Sequence, residues 1–383
     1  MLLPWIRRAC FPVLPAVLLA LHASPAAFSA QDFSYQLACG TVQTGPVASA
    51  PALMLIGGNE ASSAGEAAAT DWFLQQAEGG NYLVLRSGGL GGQAGWICDT
   101  FPDRIASAAE LSVDSRAAAN NPEVTELIES ADLVFLAGGD QSTYVDLWQN
   151  TLLAERLIEH MATSPVAGTS AGMMVLGESW YAPASSGVLS SELLDDPFGP
   201  FSETIGHGGF IGHPRLAATI TDSHLDRAHG PNEEPRYGRL FGLLARLVEA
   251  HPDRERSHAI GLEEAVFVAV DASGQATVFG DGSAAAFFIQ QHGDGPEQIE
   301  AGQPLVWQRG DQAVKAYRIV GTSGGQGAIN LVNHFNASGG EWLDWSTSGG
   351  FEGFNFAGGE CESCGGASPP ARDGLHADRF EKR

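Results

Sequence analysis

The sequence predicts an α/β protein: a doubly wound, mostly parallel sheet followed by a C-terminal antiparallel β extension. Three observations carry that reading. Between residues 53 and 264, short apolar runs alternate with stretches of helical periodicity, the signature of parallel strands joined by crossover helices. The apolar runs are continuous rather than alternating, which places those strands under cover on both faces. After Glu264 the texture changes to short strands punctuated by turn signals.

The elements follow in chain order. Arg7 and Arg8 precede an apolar run over 11–21, and small residues follow as Ala23-Ser-Pro-Ala-Ala-Phe-Ser-Ala30. Charge, then a short apolar core, then small residues describe a secretory signal peptide over 1–29, too short to span a bilayer of roughly 30 Å. The domain expected over 30–358 opens its alternating series with a strand at 53–56 (Leu-Met-Leu-Ile). A helix over 61–76, a strand at 82–85 and a helix over 123–131 come next. A strand at 133–136, a helix over 144–160 and a strand at Val166-Ala167 extend it. Leu240, Leu243, Leu244, Leu247 and Val248 recur at helical spacing over 239–250, so this helix should lay one face on the sheet. Ala-Ile-Gly-Leu at 259–262 reads as the last strand of the series. Segments 266–270 and 276–279 flank a turn at 271–274 and read as a hairpin, and the chain from 313 to about 358 reads as further antiparallel strands at the sheet edge. Residues 359–383 are Gly, Ser, Pro and charge without periodicity, a tail rather than a folding unit.

Composition removes several classes of function. Of 383 residues 44% are hydrophobic and 17% charged, ample for a sizeable core. A formal net charge of -25 repels a phosphate backbone, so nucleic acid is excluded as the expected partner. No segment beyond the leader reaches 18 consecutive apolar residues, so no membrane span is expected and the mature chain is placed outside the cytoplasm, secreted or periplasmic. A homodimer stays open. Cys10 leaves with the leader; Cys39, Cys98, Cys361 and Cys364 remain, an even number suited to an oxidising compartment. Cys39–Cys98 with Cys361–Cys364 is the preferred pairing of three.

The chemistry is expected at the carboxyl ends of the parallel strands, where open α/β folds bind ligands. Gly168-Thr-Ser-Ala-Gly172 places Ser170 on a strand-to-helix turn, a setting that exposes Oγ and aims the Ala171 N–H at a developing oxyanion. Gly138-Gly-Asp-Gln141 and Gly57-Gly-Asn-Glu60 end two other strands on the same rim; Gly139 is the second expected oxyanion donor and Gln141 a substrate ligand. No Lys follows these loops, which argues against a nucleotide, and no cofactor is expected. His224, at the end of a strand-like Ala217-Ala-Thr-Ile-Thr-Asp-Ser-His, is the candidate base, with Glu263 or Glu264 to orient it. His207 and His213 lie close together in a glycine-rich stretch but lack a visible third ligand, so no metal is expected.

Five segments occur together in an order that resembles the cyanophycinases: Leu-Ala-Gly-Gly-Asp-Gln (136–141), Ala-Gly-Thr-Ser-Ala-Gly-Met (167–173), Thr-Asp-Ser-His (221–224), Arg-Tyr-Gly-Arg-Leu (236–240) and Ile-Gly-Leu-Glu-Glu (260–264). The resemblance covers roughly 53–319. It implies a serine peptidase on a sheet like that of class I glutamine amidotransferases, with Ser170 as nucleophile, His224 as base and Glu264 as acid. It also implies that Gln141 and Asp222 line the pocket and that arginines hold substrate carboxylates. Arg236 and Arg239 match the family's last two arginines; Glu234 stands where the first would align, behind about six extra residues over 226–235, and Arg227 is the substitute from a different position. The order Ser, His, Glu separates this pattern from an α/β-hydrolase, which runs Ser, acid, His. The implied substrate is cyanophycin, a polyaspartate bearing arginine on its side chains, released as β-Asp-Arg dipeptides. An aspartyl or isoaspartyl exopeptidase and a non-catalytic binding protein are the alternatives.

Overall fold

The computed structural model describes residues 32–358, apart from 46, 61–62, 184–186, 209, 228–233 and 335. The expected leader over 1–29, the expected Cys361–Cys364 pair and the expected tail lie outside the described residues. The first ten strands are β1 (Ser34–Gly40), β2 (Leu53–Ile56), β3 (Gly80–Arg86), β4 (Ile105–Ser112), β5 (Leu133–Leu136), β6 (Val166–Thr169), β7 (Ser179–Tyr181), β8 (Ile205–His207), β9 (Thr219–Asp222) and β10 (His258–Leu262). They are followed by β11 (Phe267–Val270), β12 (Gln275–Phe279), β13 (Ala285–Gln291), β14 (Val314–Val320), β15 (Gly327–Asn330), β16 (Ala337–Ser338), β17 (Glu341–Thr347) and β18 (Phe354–Gly358).

Among the described residues these strands form two sheets, ordered β1-β4-β3-β5-β6-β2-β11-β12-β15-β16 and β18-β17-β14-β13-β10-β9-β7-β8. The centre of the first, β4-β3-β5-β6-β2, is parallel, with antiparallel strands on both flanks. The fold is therefore mixed α/β, and the expected hairpin of β11 and β12 is present beside β2. Two expectations need correction. The strand at 259–262 does not join the first parallel sheet: β10 pairs in parallel with β9 and antiparallel with β13 in the second. The C-terminal strands likewise divide, since β14, β17 and β18 continue the second sheet while β15 and β16 extend the first. A buried strand of four or five apolar residues looks alike in either sheet, so periodicity carries no information on which neighbour it pairs with.

The helices are α1 (Ala64–Gln75), α2 (Gln93–Thr100), α3 (Arg116–Ala119), α4 (Pro122–Glu129), α5 (Gln141–Trp148), α6 (Leu152–Met161), α7 (Ala171–Met174), α8 (Ser190–Asp195) and α9 (Tyr237–Ala250). Several start where side chains satisfy the orphan N–H groups of a first turn: Ser63 for α1, Asn121 followed by Pro122 for α4, and Thr151 for α6. The single helix expected over 144–160 is two. Asn150 adopts φ 59° and Thr151 then caps α6, so the chain breaks between Trp148 and Leu152. Helix α9 is enclosed rather than laid on one face: from Tyr237 to Val248 every residue but Arg246 is buried. Its leucines pack with Trp307, Trp345 and Phe287 into one core, while Leu53, Leu55, Val134, Leu136, Val166 and Trp148 belong to the core of the first sheet. Cys39 on β1 and Cys98 on α2 are bonded, with sulfurs 2.02 Å apart.

Candidate active site

The strand β6 and the helix α7 meet at a single residue, Ser170, whose φ of 50° and ψ of -116° are rare for a residue with a side chain. The turn is held by the Ser170 N–H, which donates to Ile56 O at 3.0 Å. It is also held by close packing. A Cβ on Gly168 would stand 2.5 Å from Gly172 O, and one on Gly172 would stand 2.3 Å from Leu136 O. Those distances are why glycine flanks the serine on both sides. Ala171 opens α7, so its N–H has no partner within the helix.

The second sheet supplies the partners. His224 follows β9 and its N–H donates to Gly57 O at 3.0 Å; Glu264 follows β10, and the next residue, Ala265, donates to Gly58 O at 2.9 Å. Ser170 Oγ lies 2.8 Å from His224 Nε2, and His224 Nδ1 lies 2.7 Å from Glu264 Oε1. A proton on Nδ1, held by the carboxylate, leaves Nε2 with a lone pair facing the hydroxyl. Gly58 makes room for the imidazole: at φ 94°, a Cβ there would be 2.3 Å from His224 Cε1. Glu264 is only partly buried, and its Oε2 accepts from Asn59 Nδ2 at 2.7 Å. Burial alone would raise its carboxyl; hydrogen bonds from His224 and Asn59 and the nearby Arg227 outweigh that and hold it below the ordinary value. Glu263 points elsewhere. It is 3% exposed, accepts from Tyr237 Oη and from the Ala285 N–H, and is raised, first by burial.

A cleft of about 420 Å³ opens beside Ser170 and His224. Gly139, Asp140 and Gln141 contribute to its lining, as do Arg227, Arg236 and Arg239 and Tyr181 and Gly187. Gln141 Nε2 reaches Met174 Sδ at 3.2 Å. Arg227 is the most open of the three arginines, its side chain 58% exposed, and its Nη1 lies 3.5 Å from Glu264 Oε1. Arg236 donates to Ser223 O at 3.0 Å and is held down to about 10, first by burial and then by Arg239 and Arg227. Burial and neighbouring cations both disfavour the charged form, and Asp222 and Glu264 only partly offset them.

Asp222 corrects the sequence reading. It does not line the cleft: its side chain is fully buried and takes a two-point contact from Arg239, Nε at 2.8 Å and Nη2 at 2.6 Å. A carboxylate spent on a planar guanidinium is not available to substrate; Asp222 instead fixes Arg239, whose guanidinium sits over the Tyr181 ring. Glu234 accepts from the Ser191 N–H at the start of α8. His207 bonds Ser179 Oγ through Nδ1 at 3.0 Å, and buried His213 accepts from the Arg215 N–H and is lowered to about 4, first by burial. Among the described residues no three His, Cys, Asp or Glu side chains cluster as metal ligands. Sequence reasoning missed Asn59, Tyr181 and Gly187. Asn59 alone had a signal, its place in the glycine turn after β2.

The model of Peptidase family S51 matches residues 53–191, a span that contains Ser170 and ends before His224 and Glu264. A cyanophycinase of Trichormus variabilis is 27% identical over 244 residues, 62% of this chain and 74% of its own. Another, of Geminocystis herdmanii, is 29% identical over 156 residues, 40% of this chain and 48% of its own. Among solved structures, a peptidase from an acI-B1 Actinobacterium aligns with a TM-score of 0.45 at 17% identity, over 74% of this chain and 98% of that one. Over residues 53–191 the chain therefore resembles the S51 peptidases. Its similarity to the cyanophycinases is at modest identity.

Proposed function

We propose that this chain is an exported serine peptidase that cleaves the aspartyl backbone of cyanophycin through an acyl-enzyme. The observation that carries the reading is the unbroken chain from Ser170 Oγ through His224 to Glu264, with contacts of 2.8 and 2.7 Å. Ser170 Oγ attacks the scissile carbonyl carbon as its proton passes to His224 Nε2, and Glu264 steadies the imidazolium so formed. The oxyanion is received by the Ala171 and Gly139 N–H groups. Collapse expels the leaving amine, which takes the proton from His224. Water then repeats the sequence on the ester and frees Ser170.

Substrate preference follows from the cleft wall. Arg227 and Arg236 bring cationic groups to the cleft of a chain of net charge -25, while Arg239 is paired with Asp222; that suits the free carboxylates of the arginines carried on the aspartyl chain. Names of the relatives point the same way, since those with 27% and 29% identity are cyanophycinases. Export is supported by the order of charge, apolar run and small residues in 1–29 and by the Cys39–Cys98 bond. The test is product identity. Purified protein given cyanophycin should release β-Asp-Arg dipeptide, and Ser170→Ala should release none. Turnover of aspartyl dipeptides with intact cyanophycin would move the assignment to an exopeptidase; wild-type turnover by Ser170→Ala would remove the mechanism.

A further inference from the structure

One loop reaches every member of the site. At the end of β2, Ile56 O accepts from the Ser170 N–H at 3.0 Å; just beyond it, Gly57 O accepts from the His224 N–H at 3.0 Å and Gly58 O from the Ala265 N–H at 2.9 Å. Glu60, next along, accepts from the hydroxyl of Thr169, the residue before Ser170. Between them Asn59 stands at φ 51°, a left-handed conformation that asparagine tolerates better than most residues. Its Nδ2 meets Glu264 Oε2 at 2.7 Å.

The acid needs such a contact. The last torsion of a glutamate is broad, so a carboxylate held at one oxygen swings about that bond. His224 holds Oε1; Arg227, 3.5 Å away and mostly exposed, approaches the same oxygen. The Glu264 backbone is pinned separately, its N–H donating to Asp226 Oδ1 at 3.0 Å. Among the described residues the donor to Oε2 is Asn59. The charged and titratable groups facing Glu264 are thus His224, Arg227 and Asp226, with Arg236 acting through space.

We propose that Asn59 is a positioning residue of this site: by binding Glu264 Oε2 it turns Oε1 toward His224 Nδ1, and it acts on Ser170 only through that relay. The inference rests on the reading of Ser170 as nucleophile. Asn59→Gly removes the side chain while keeping the left-handed backbone unstrained, and Asn59→Asp keeps the shape while replacing the donor with a second carboxylate that repels Glu264.

The experiment measures the second-order rate at which a fluorophosphonate labels Ser170 in the full chain. The variants are Asn59→Gly, Asn59→Asp, Glu264→Ala and the double variant Asn59→Gly/Glu264→Ala, each checked by thermal melting. Both Asn59 variants should label about tenfold more slowly than wild type, the low end of the loss seen when a supporting hydrogen bond behind a ligand is cut. On the Glu264→Ala background Asn59→Gly should change the rate less than about twofold, because there is no carboxylate left to hold. Wild-type labelling by both single variants overturns the inference, as does an equal loss on both backgrounds, which would make Asn59 a brace for the loop alone. If the wild-type chain is not labelled at Ser170, the serine-peptidase reading fails and the inference fails with it, a result distinct from the other two.

Discussion

Glu263 and Glu264 are neighbours in sequence with opposite surroundings, one sealed against Tyr237 and Ala285, the other facing His224 and Asn59. Their amide variants should therefore fail in opposite ways. Glu264→Gln should lower turnover by about 10²- to 10⁴-fold with little change in melting, since an amide cannot steady the imidazolium and can fix the wrong tautomer. Glu263→Gln should lower stability by roughly 1 kcal/mol, because Tyr237 Oη and the Ala285 N–H lose a carboxylate acceptor and keep only a neutral amide, while keeping most of its turnover. The reverse ranking in steady-state kinetics and melting would move the acid to Glu263. The tail of the Ile-Gly-Leu-Glu-Glu segment left both acids open to residue-by-residue reading, and only the family pattern chose the second. Asp222 shows the limit of that pattern: a polar residue beside the base reads as a ligand, yet its carboxylate closes on Arg239 inside the protein.

Elements were legible where composition and chemistry agreed. The strands β2 (Leu-Met-Leu-Ile) and β5 (Leu-Val-Phe-Leu) are unbroken apolar runs that each end in a glycine turn on the rim of the site, while the shorter β6 (Val-Ala-Gly-Thr) was marked by the glycine-flanked serine that follows it. Strand β4 was not legible. Its sequence Ile-Ala-Ser-Ala-Ala-Glu-Leu-Ser is poor in strand formers, and it holds its place between β1 and β3 by pairing rather than propensity. Glu110 within it is buried and satisfied by Arg86 and by the N–H groups of Gly91 and Ala94. At the outer edge β1 is mostly exposed, and the bond from Cys39 to Cys98 on α2, 59 residues apart, ties it down. Replacing both cysteines by serine should cost about 3 kcal/mol in denaturant unfolding and leave turnover within about twofold, because the bond constrains the unfolded chain and lies outside the cleft lining. Unchanged stability would show that this edge folds unaided.

At the scale of the molecule the site is a junction, with Ser170 from the first sheet and His224 and Glu264 from the second. That pairing of sheets lay beyond periodicity, which locates strands without their neighbours. Two histidines near the second sheet, partly buried His258 and buried His213, titrate away from the ordinary imidazole range. His258 on β10 stacks on His334 with ring centroids 3.8 Å apart; His258 and His213 are each lowered to about 4, first by burial and then by Arg256 and Arg215 respectively. Between about pH 6.5 and 4 the unfolded chain binds protons at these positions that the folded chain does not. Stability contributed by the neutral rings is present above that window and lost as pH falls through it, on the order of 3 kcal/mol for each group. Melting temperature should fall steadily from pH 7 to pH 4, and His258→Gln should flatten that slope. A wild-type slope of zero would mean that the rings are protonated in the folded chain.

The central claim, that Ser170 is activated by His224 for covalent chemistry, is tested most directly by intact mass after treatment with a fluorophosphonate. Wild-type protein should gain one adduct per chain, mapped by peptide digestion to Ser170, while Ser170→Ala gains none and His224→Ala gains it at least about a hundredfold more slowly. An adduct on any other residue, or labelling of His224→Ala at the wild-type rate, would contradict the account.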